Sequence, residues 1–267
     1  MTRITATVIT QNEEKNIGSC LRSLNWVDEI VVYDACSKDQ TVPICEHFGA
    51  RVFQNHWPGY KTQKNNAIDK ASNDWILALD ADEQLSSELI QEIKTLRQEG
   101  FQKDGYRIPR RSFYLGKWIN YSGWYPDRQL RLFKKSKARW DGGTVHEHVS
   151  LNGDIGDLAG DLLHYSYRNI NHHLQKIEIY SDLIAKDAFQ NGIRSHWLHL
   201  IGNPVKEFFS KLVLKAGYRD HLPGIVIAAL SAYYHFQRVA KLRALERRSV
   251  TSLSSSADKQ PDKLQQG

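Results

Sequence analysis

Short apolar runs alternate with amphipathic stretches over the first hundred residues of the chain. Four of these runs are typical of β-strands: residues 5–9, 30–33, 52–53 and 75–79. Apolar residues at helical spacing lie between and after them and predict helices: one after residue 12, and others over residues 41–48, 61–72 and 86–97. Residues 75–79 are five consecutive apolar residues, which indicates a strand buried on both faces. The alternation predicts an α/β fold of βαβ units, with a mostly parallel sheet flanked by helices.

The pattern changes after residue 100. Short strand-like pieces at residues 106–109 and 129–133 lie between aromatic and basic loops, and from residue 171 to about residue 248 the pattern is helical. The residues that follow are mostly polar, which predicts a disordered tail. We therefore expect three parts: an α/β domain over residues 1–168, a helical C-terminal extension over residues 169–248, and the tail over residues 249–267.

The bulk composition narrows the classes of protein. A chain of 267 residues can bury a full core as one large domain, or as one domain with an appendage. Its three cysteines, Cys20, Cys36 and Cys45, have no metal-ligand spacing, which argues against a disulfide framework. The chain enters a strand at once and no apolar run reaches about 18 residues, so we expect no secretory signal and a cytoplasmic location. The net charge of +6 favours anionic partners: nucleotides, nucleic acid or an acidic membrane surface.

Acidic residues follow three of the predicted strands. Asp80 and Asp82 come after residues 75–79, Asp34 comes after the second strand, and Glu13 after the first. The carboxyl ends of parallel strands lie along one edge, where open α/β sheets bind their ligands. Two carboxylates at that edge suit Mg²⁺ or Mn²⁺, which shares its remaining positions with substrate phosphates. Alone, the Asp-x-Asp motif is equally compatible with a solvated acidic turn before a helix. The three strand ends together favour a nucleotide site.

Longer motifs surround these carboxylates in a fixed order along the chain. They cover residues 8–13, 26–34, 37–41, 59–67 and 79–83, and then residues 122–128, 131–133 and 145–147. The first group resembles the nucleotide-binding half of the family 2 inverting glycosyltransferases, which have the GT-A fold. The second group is similar to a narrower subgroup, the lipopolysaccharide core β-1,4-glucosyltransferases. The similarity extends over about residues 4–245.

The resemblance implies roles in nucleotide binding for four residues. Thr10, Glu13 and Asp34 would hold the uridine of a UDP-sugar donor, and Lys64 would lie near the nucleotide or its phosphates. The segment after Asp34 departs from the family pattern, because Cys36 replaces a glycine. We expect nucleotide binding to be kept, while the turn and the nucleotide preference are open to change.

The same resemblance implies a metal cofactor, Mg²⁺ or Mn²⁺. Asp82 would bind the metal, and Asp80 would contact either the ribose or the metal. His164 is a candidate to complete the metal's shell. A histidine packed in the core explains His164 equally well.

An inverting transferase also needs one general base that deprotonates the acceptor hydroxyl. Glu147 is the first candidate and Asp127 the second. Glu147 lies between His146 and His148, which mimics a zinc site, but in a strand the two histidines share one face and Glu147 takes the other. No Cys/His cluster at a recognisable spacing supplies the missing ligands, so we expect no zinc.

Aromatic and basic residues interleave between residues 110 and 128. Trp124, Tyr125 and Arg128 are the candidates for binding a phosphorylated sugar acceptor, since aromatic faces pack on sugars and arginine pairs with phosphate. The composition would also suit single-stranded nucleic acid, but motifs for nucleic-acid recognition are absent, so we expect none. The apolar segment 224–230, with basic residues after it, fits either an interfacial helix on an anionic membrane or a core helix.

Together these features predict an enzyme that transfers a hexose with inversion. We expect glucose from UDP-glucose as the donor sugar and a heptose of the lipopolysaccharide inner core as the acceptor, at the cytoplasmic face of the inner membrane. Another nucleotide-sugar or cell-envelope acceptor is the nearest alternative, and a non-catalytic nucleotide-binding protein on the membrane is a further one. Haloacid-dehalogenase-like phosphatases also begin with a strand and Asp-x-Asp, but they need a later Asp-Asp pair that this chain lacks.

Overall fold

The computed structural model describes residues 2–143 and 147–257, with the side chains up to residue 247. The chain divides into two compact units, Met1–Asn169 and Ile170–Gly267. The strands, all in the first unit, are β1 (Ile4–Thr10), β2 (Glu29–Asp34), β3 (Arg51–Gln54), β4 (Trp75–Asp80), β5 (Glu83–Leu85), β6 (Gly105–Tyr114), β7 (Lys117–Trp118), β8 (Asp127–Lys134), β9 (Ala138–Gly142), β10 (Glu147–Leu151), β11 (Ile155–Asp157) and β12 (Leu162–His164). The helices are α1 (Ile17–Arg22), α2 (Thr41–His47), α3 (Tyr60–Lys70) and α4 (Ser87–Glu99) in the first unit, and α5 (Ile170–Gln190), α6 (His199–Phe209) and α7 (Leu222–Ala257) in the second.

A mixed sheet with the strand order β3-β2-β1-β4-β8-β6-β12-β5 organises the first unit. Strands β3, β2, β1 and β4 run parallel, because a helix returns the chain to the same end of the sheet between successive strands. Strand β8 pairs antiparallel with both β4 and β6, and β12 lies parallel to β6. Strands β9 and β10 form a separate antiparallel ladder. The predicted α/β fold with a mostly parallel sheet is confirmed.

Strand β1 lies at the centre of the parallel half, and all seven of its residues are buried. Side chains from α1 and α4 pack on one face of this half, and α3 and β9 pack on the other. The pairing register sets Thr10 opposite Asp34 and Ile9 opposite Asp80. The carboxyl ends of β1, β2 and β4 therefore share one edge of the sheet.

The second unit is helical. A π-helical turn, Ser210–Leu214, and a 3₁₀ turn, Gly217–Asp220, connect α6 to α7. Within segment 224–230, Ile227 and Ala228 are fully buried, which favours the core-helix alternative for that segment. Helix α7 continues to Ala257, so the expected disordered tail is helical over residues 249–257, since extending a formed helix is far easier than starting one. Residues 258–267 of that tail lie outside the described residues.

None of the helices within the described ranges is long and apolar enough to cross a membrane.

Candidate active site

Two of the uridine-binding candidates, Thr10 and Asp34, lie side by side at the strand edge. Asp34 is fully buried and accepts hydrogen bonds from the backbone N–H of Ser37 at 2.8 Å, from Gln54 Nε2 at 2.9 Å and from the Ser37 hydroxyl. Thr10 is buried, and its Oγ1 has no hydrogen-bond partner among the described residues. A fixed carboxylate therefore lies beside an unused hydroxyl, which suits recognition of a polar ligand.

Two loops border that edge. The backbone N–H of Glu13 donates to Thr41 Oγ1 at 2.8 Å, and the Glu13 carboxylate accepts from Asn16 Nδ2 at 2.6 Å, which holds it near the start of α1. Cys36 has a φ of 54°, in the left-handed region that glycine enters most easily. The turn thus keeps a conformation typical of glycine although an exposed cysteine occupies the position.

Asp80, at the end of β4, lies close to two cations. Lys64 Nζ lies 3.1 Å from its Oδ1, and Arg131 Nη2 lies 3.1 Å from its Oδ2. Burial alone would raise the pKa of Asp80, but the charges of Lys64 and Arg131 outweigh it and hold the pKa well below its usual range. The Asp80 backbone N–H donates to Glu83 Oε2 at 2.9 Å. Asp80 is therefore a fixed anion whose charge is already shared with two cations.

Glu83 extends the charged contacts beneath the edge. It is fully buried, with Arg131 Nη2 at 2.8 Å and Arg110 Nη1 at 3.4 Å from its Oε1. Arg110 in turn donates to Asp127 Oδ2 through Nε at 2.9 Å and Nη2 at 2.6 Å, and Gln129 Nε2 donates to Asp127 Oδ1 at 2.7 Å. Burial would lower the pKa of Arg131, but the carboxylates of Glu83 and Asp80 raise it overall. Both oxygens of the second base candidate, Asp127, are thus engaged.

Glu147, the first base candidate, joins the same set of charges from β10. Its Oε1 lies 3.2 Å from Lys64 Nζ, and its side chain is 16% exposed. Trp140 on β9 lies between the two cations, with Lys64 Nζ at 4.3 Å and the Arg131 guanidinium carbon at 5.5 Å from its ring centroid. We call the connected charges the ion network: Lys64, Asp80, Glu83, Arg110, Asp127, Arg131 and Glu147. The two base candidates lie at its opposite ends.

Asp82 and His164 are brought together beside the network. His164 Nε2 lies 3.4 Å from Asp82 Oδ2, and the other ring nitrogen, Nδ1, is buried without a hydrogen-bond partner among the described residues. The ladder between β12 and β5 fixes this pair, because it places His164 opposite Glu83. Within residues 2–143 and 147–257 no cluster of three His, Cys, Asp or Glu side chains has the arrangement of a metal site. The Asp82 carboxylate fits Mg²⁺ or Mn²⁺ that takes its other ligands from water and phosphate, whereas the His164 imidazole is a ligand more typical of transition metals than of Mg²⁺.

The three acceptor-binding candidates have different surroundings. The Trp124 ring lies 5.6 Å from Tyr114 and 5.7 Å from Tyr167, and the Tyr125 hydroxyl donates to Asp161 Oδ1 at 2.9 Å. Arg128 instead donates to the Leu158 carbonyl at 3.1 Å and lies 3.6 Å from Asp157. Adjacent residues of a strand point to opposite faces, so Arg128 projects away from the side chain of Asp127. The structure does not bring Arg128 to the ion network.

Three residues of the site had no role in the sequence interpretation: Glu83, Trp140 and Arg131. Glu83 and Arg131 lie within the motifs at residues 79–83 and 131–133, and Arg131 is also a basic residue inside an apolar strand pattern, at residues 129–133. An arginine is fully buried only where a counter-ion pairs with it, so this local pattern alone does not predict the burial of Arg131. His146, the neighbour of Glu147 in the zinc alternative, lies outside the described residues.

Comparison with known proteins places this site in context. The family model described as Glycosyl transferase family 2 matches residues 5–151. A lipopolysaccharide core biosynthesis glycosyltransferase, LpsC of Rhizobium meliloti (strain 1021), is 30% identical over 247 residues, which cover 90% of this chain and 91% of that protein. An uncharacterized glycosyltransferase of Rickettsia felis is 33% identical over 265 residues, covering 91% of this chain and 90% of the relative. The crystal structure of S. aureus TarS 1-349 aligns with 94% of this chain and 92% of its own, with 17% identity and a TM-score of 0.46. The residues matched by the family model include the strand edge and the whole ion network.

Proposed function

The chain belongs to glycosyltransferase family 2, and from this membership we propose that it transfers a hexose from a UDP-sugar, foremost glucose from UDP-glucose, to a heptose of the lipopolysaccharide inner core. One observation carries the proposal: Asp34 and Asp80 end the two parallel strands that flank β1, the Asp82–His164 pair lies just after Asp80, and Lys64 links Asp80 to Glu147. The similarity to LpsC, whose name places it in lipopolysaccharide core biosynthesis, supports the acceptor class.

In the proposed reaction, the acceptor hydroxyl oxygen attacks the anomeric carbon of the donor from the side opposite the diphosphate. The carbon–oxygen bond to the diphosphate breaks, UDP leaves with that electron pair, and the configuration inverts. Glu147 takes the proton of the hydroxyl. Thr10, Glu13 and Asp34 hold the uridine, and Lys64, which contacts Asp80 and Glu147, contributes positive charge for the phosphates.

Glu147 is the better base of the two candidates because of its unused acceptor capacity. Among the described residues, Lys64 contacts Oε1 of Glu147, and Oε2 has no hydrogen-bond partner. Asp127 accepts from Arg110 on one oxygen and from Gln129 on the other. A proton arriving at Asp127 would compete with three donated hydrogen bonds, whereas Oε2 of Glu147 carries none among the described residues.

Asp82 and His164 would hold Mg²⁺ or Mn²⁺, which would supply positive charge to stabilise the departing diphosphate. The charge balance favours this assignment. The ion network contains four carboxylates and three cations, and Asp82 adds a fifth carboxylate. Asp80 then serves as a structural anion or a ribose contact, because its charge is already shared with Lys64 and Arg131.

The remaining parts of the proposal concern the acceptor and the location of the enzyme. Trp124 and Tyr125 would pack on the acceptor sugar, and Arg128 would pair with a phosphate at the periphery of the acceptor, since it lies outside the ion network. A lipid-linked acceptor calls for a peripheral protein on the cytoplasmic face of the inner membrane.

The test is UDP release from a panel of UDP-sugars with heptose-terminated core lipid as acceptor, with and without Mg²⁺ or Mn²⁺. We expect release from UDP-glucose to require the metal and the acceptor. Glu147→Gln should lower the transfer rate by about 10²- to 10⁴-fold while UDP affinity, measured by calorimetry, is unchanged. Asp82→Asn should weaken metal-dependent UDP binding as well as the rate.

The matched control is Asp127→Asn, which removes a carboxylate at the other end of the ion network and should retain the rate within about tenfold. If Asp127→Asn loses activity while Glu147→Gln keeps it, Asp127 rather than Glu147 is the general base. If a different UDP-sugar is turned over, that sugar replaces glucose as the proposed donor and the proposed mechanism is unchanged. UDP binding without turnover of any donor, in the presence of the acceptor, would refute the transferase.

A further inference from the structure

Exposed apolar side chains are concentrated in one short segment of the second unit. Among the described residues, eleven of the twenty large hydrophobic side chains that are exposed lie between residues 193 and 225. That segment contains α6, the two turns that follow it and the start of α7. A soluble protein scatters such residues singly, so a concentration of this kind marks a surface that is covered in use.

The exposed residues of α6 lie along one side of the helix. Ile201, Val205 and Phe209 of α6 follow each other at intervals of four residues and are 65%, 50% and 56% exposed. Trp197, in the turn just before α6, continues the spacing and is 55% exposed. Residues spaced by four lie on one side of a helix, with only a gradual drift around it. We call these four residues the α6 stripe. An exposed apolar stripe of this kind is typical of an interfacial helix, which lies on a membrane surface.

The chain turns back immediately after the stripe and exposes three further apolar side chains. Leu214 is 83% exposed, Tyr218 is 59% exposed and Leu222 is 66% exposed. They lie on the π-helical turn, the 3₁₀ turn and the first residue of α7, and we call them the tip. A leucine at 83% exposure gains nothing from the fold in water, so the tip is suited to an environment other than water.

The charges around the stripe and the tip are mostly positive. Residues 193–225 contain five basic residues: Arg194, Lys206, Lys211, Lys215 and Arg219. The segment has two acidic residues, of which Asp220 is fully buried and Glu207 lies 3.7 Å from Lys211. The exposed charge is therefore basic, which complements an anionic surface.

We propose that the α6 stripe and the tip form the membrane-docking surface of this protein, and that its partner is the anionic lipid headgroup layer. This inference deepens the proposed membrane location and rests on it. The tip and stripe would enter the boundary between headgroups and acyl chains, while Lys206 and Lys215 pair with lipid phosphates. The segment predicted from the sequence, residues 224–230, is only partly exposed: Ile225 is 48% exposed, whereas Ile227 and Ala228 are buried in the unit.

The test is co-sedimentation of the full chain with vesicles of phosphatidylcholine, with and without phosphatidylglycerol. Leu214→Asp combined with Leu222→Asp should weaken binding at least about tenfold, because two apolar anchors are replaced by charges that the anionic surface repels. Lys206→Gln and Lys215→Gln should each weaken binding to the phosphatidylglycerol vesicles about fivefold and leave binding to pure phosphatidylcholine unchanged. Leu214 ends the π-helical turn, Lys215 follows it directly and Leu222 is the first residue of α7, so these substitutions should leave the fold intact. Lys206 lies on α6 and lines a cavity, and its replacement by glutamine removes the charge but keeps most of the side chain.

The matched control is Ile179→Asp. Ile179 is 58% exposed on α5, in the same unit but outside the stripe and the tip, so this variant should bind vesicles as the wild type does. Equal loss in Ile179→Asp and in the tip variant would overturn the proposal, as would wild-type protein that stays in the supernatant. A wild-type dimer that the tip variant converts to monomer, with vesicle binding unchanged, would assign the surface to a second copy instead.

UDP affinity, measured by calorimetry in vesicle-free solution, separates this inference from the proposed function. The tip variant should keep wild-type UDP affinity. Vesicle binding by a protein that neither binds nor turns over any UDP-sugar would uphold the docking surface and refute the transferase.

Discussion

Replacing Arg131 by methionine tests whether the ion network stabilises the first unit. Arg131 is 2% exposed, lies 2.8 Å from Glu83 and 3.1 Å from Asp80, and packs against Trp140. Methionine keeps the length and apolar stem of the side chain but removes its charge. Glu83 would then remain fully buried with only the 3.4 Å contact to Arg110 as a cation. Breaking a buried pair in this way costs about 3–5 kcal/mol, so we expect the free energy of unfolding to fall by that amount.

The assay is urea unfolding followed by tryptophan fluorescence, since six of the seven tryptophans lie in residues 1–169. Arg139→Met is the matched control: its partner Asp69 lies at 2.9 Å, but both side chains are more than half exposed, so the loss should stay below about 1 kcal/mol. Combining Arg131→Met with Glu83→Gln should recover about 1–3 kcal/mol relative to the sum of the single effects. A cost for Arg131→Met no larger than that of the control, or strict additivity in the double variant, would refute the reasoning.

Two further predictions concern pH and metal. Burial would raise the pKa of Glu29, but donors from Thr5, Ser72 and Arg51 lower it from 4.5 to about 2. The stabilisation from Glu29 is therefore present above pH 4.5 and is lost as the pH falls towards 2. Urea unfolding of Glu29→Gln should therefore show a weaker loss of stability on acidification than the wild type, and parallel profiles would contradict this. Removal of divalent metal by a chelator should weaken UDP binding by at least about tenfold in calorimetry, because the site's carboxylates outnumber its cations; equal affinity with and without the chelator would exclude that role for the metal.

Local patterns explain why the strand edge could be predicted. Residues 75–79 form a continuous apolar run, and the actual strand, Trp75–Asp80, ends one residue later. Parallel pairing of β1 with β2 and with β4 then follows from the alternation of strands and helices. Sequence features that span only a few residues each are therefore enough to predict that this edge carries Thr10, Asp34 and Asp80.

The ion network depends on pairing between distant segments, which no local pattern reveals. Arg131 reaches Asp80 because β8 runs antiparallel to β4, with Leu132 opposite Leu77. The short strands β5 and β12 carry too few residues for a periodic signal, yet their pairing places His164 opposite Glu83. The role of Arg128 as an acceptor contact stays a prediction, and its contacts with Leu158 and Asp157 come from the same long-range pairing.

Helix α3 connects the strand edge to Glu147, the proposed base. Glu147 lies on the ladder of β9 and β10, which is not part of the main sheet. Two consecutive residues of α3 fasten this ladder: Asn65 donates to the Trp140 carbonyl and accepts from its N–H, both at 3.0 Å, and Lys64 pairs with Glu147 at 3.2 Å. Lys64 also contacts Asp80 at 3.1 Å. A single turn of helix thus sets the distance between the strand edge and the base, so a change in α3 would disturb donor binding and proton removal together.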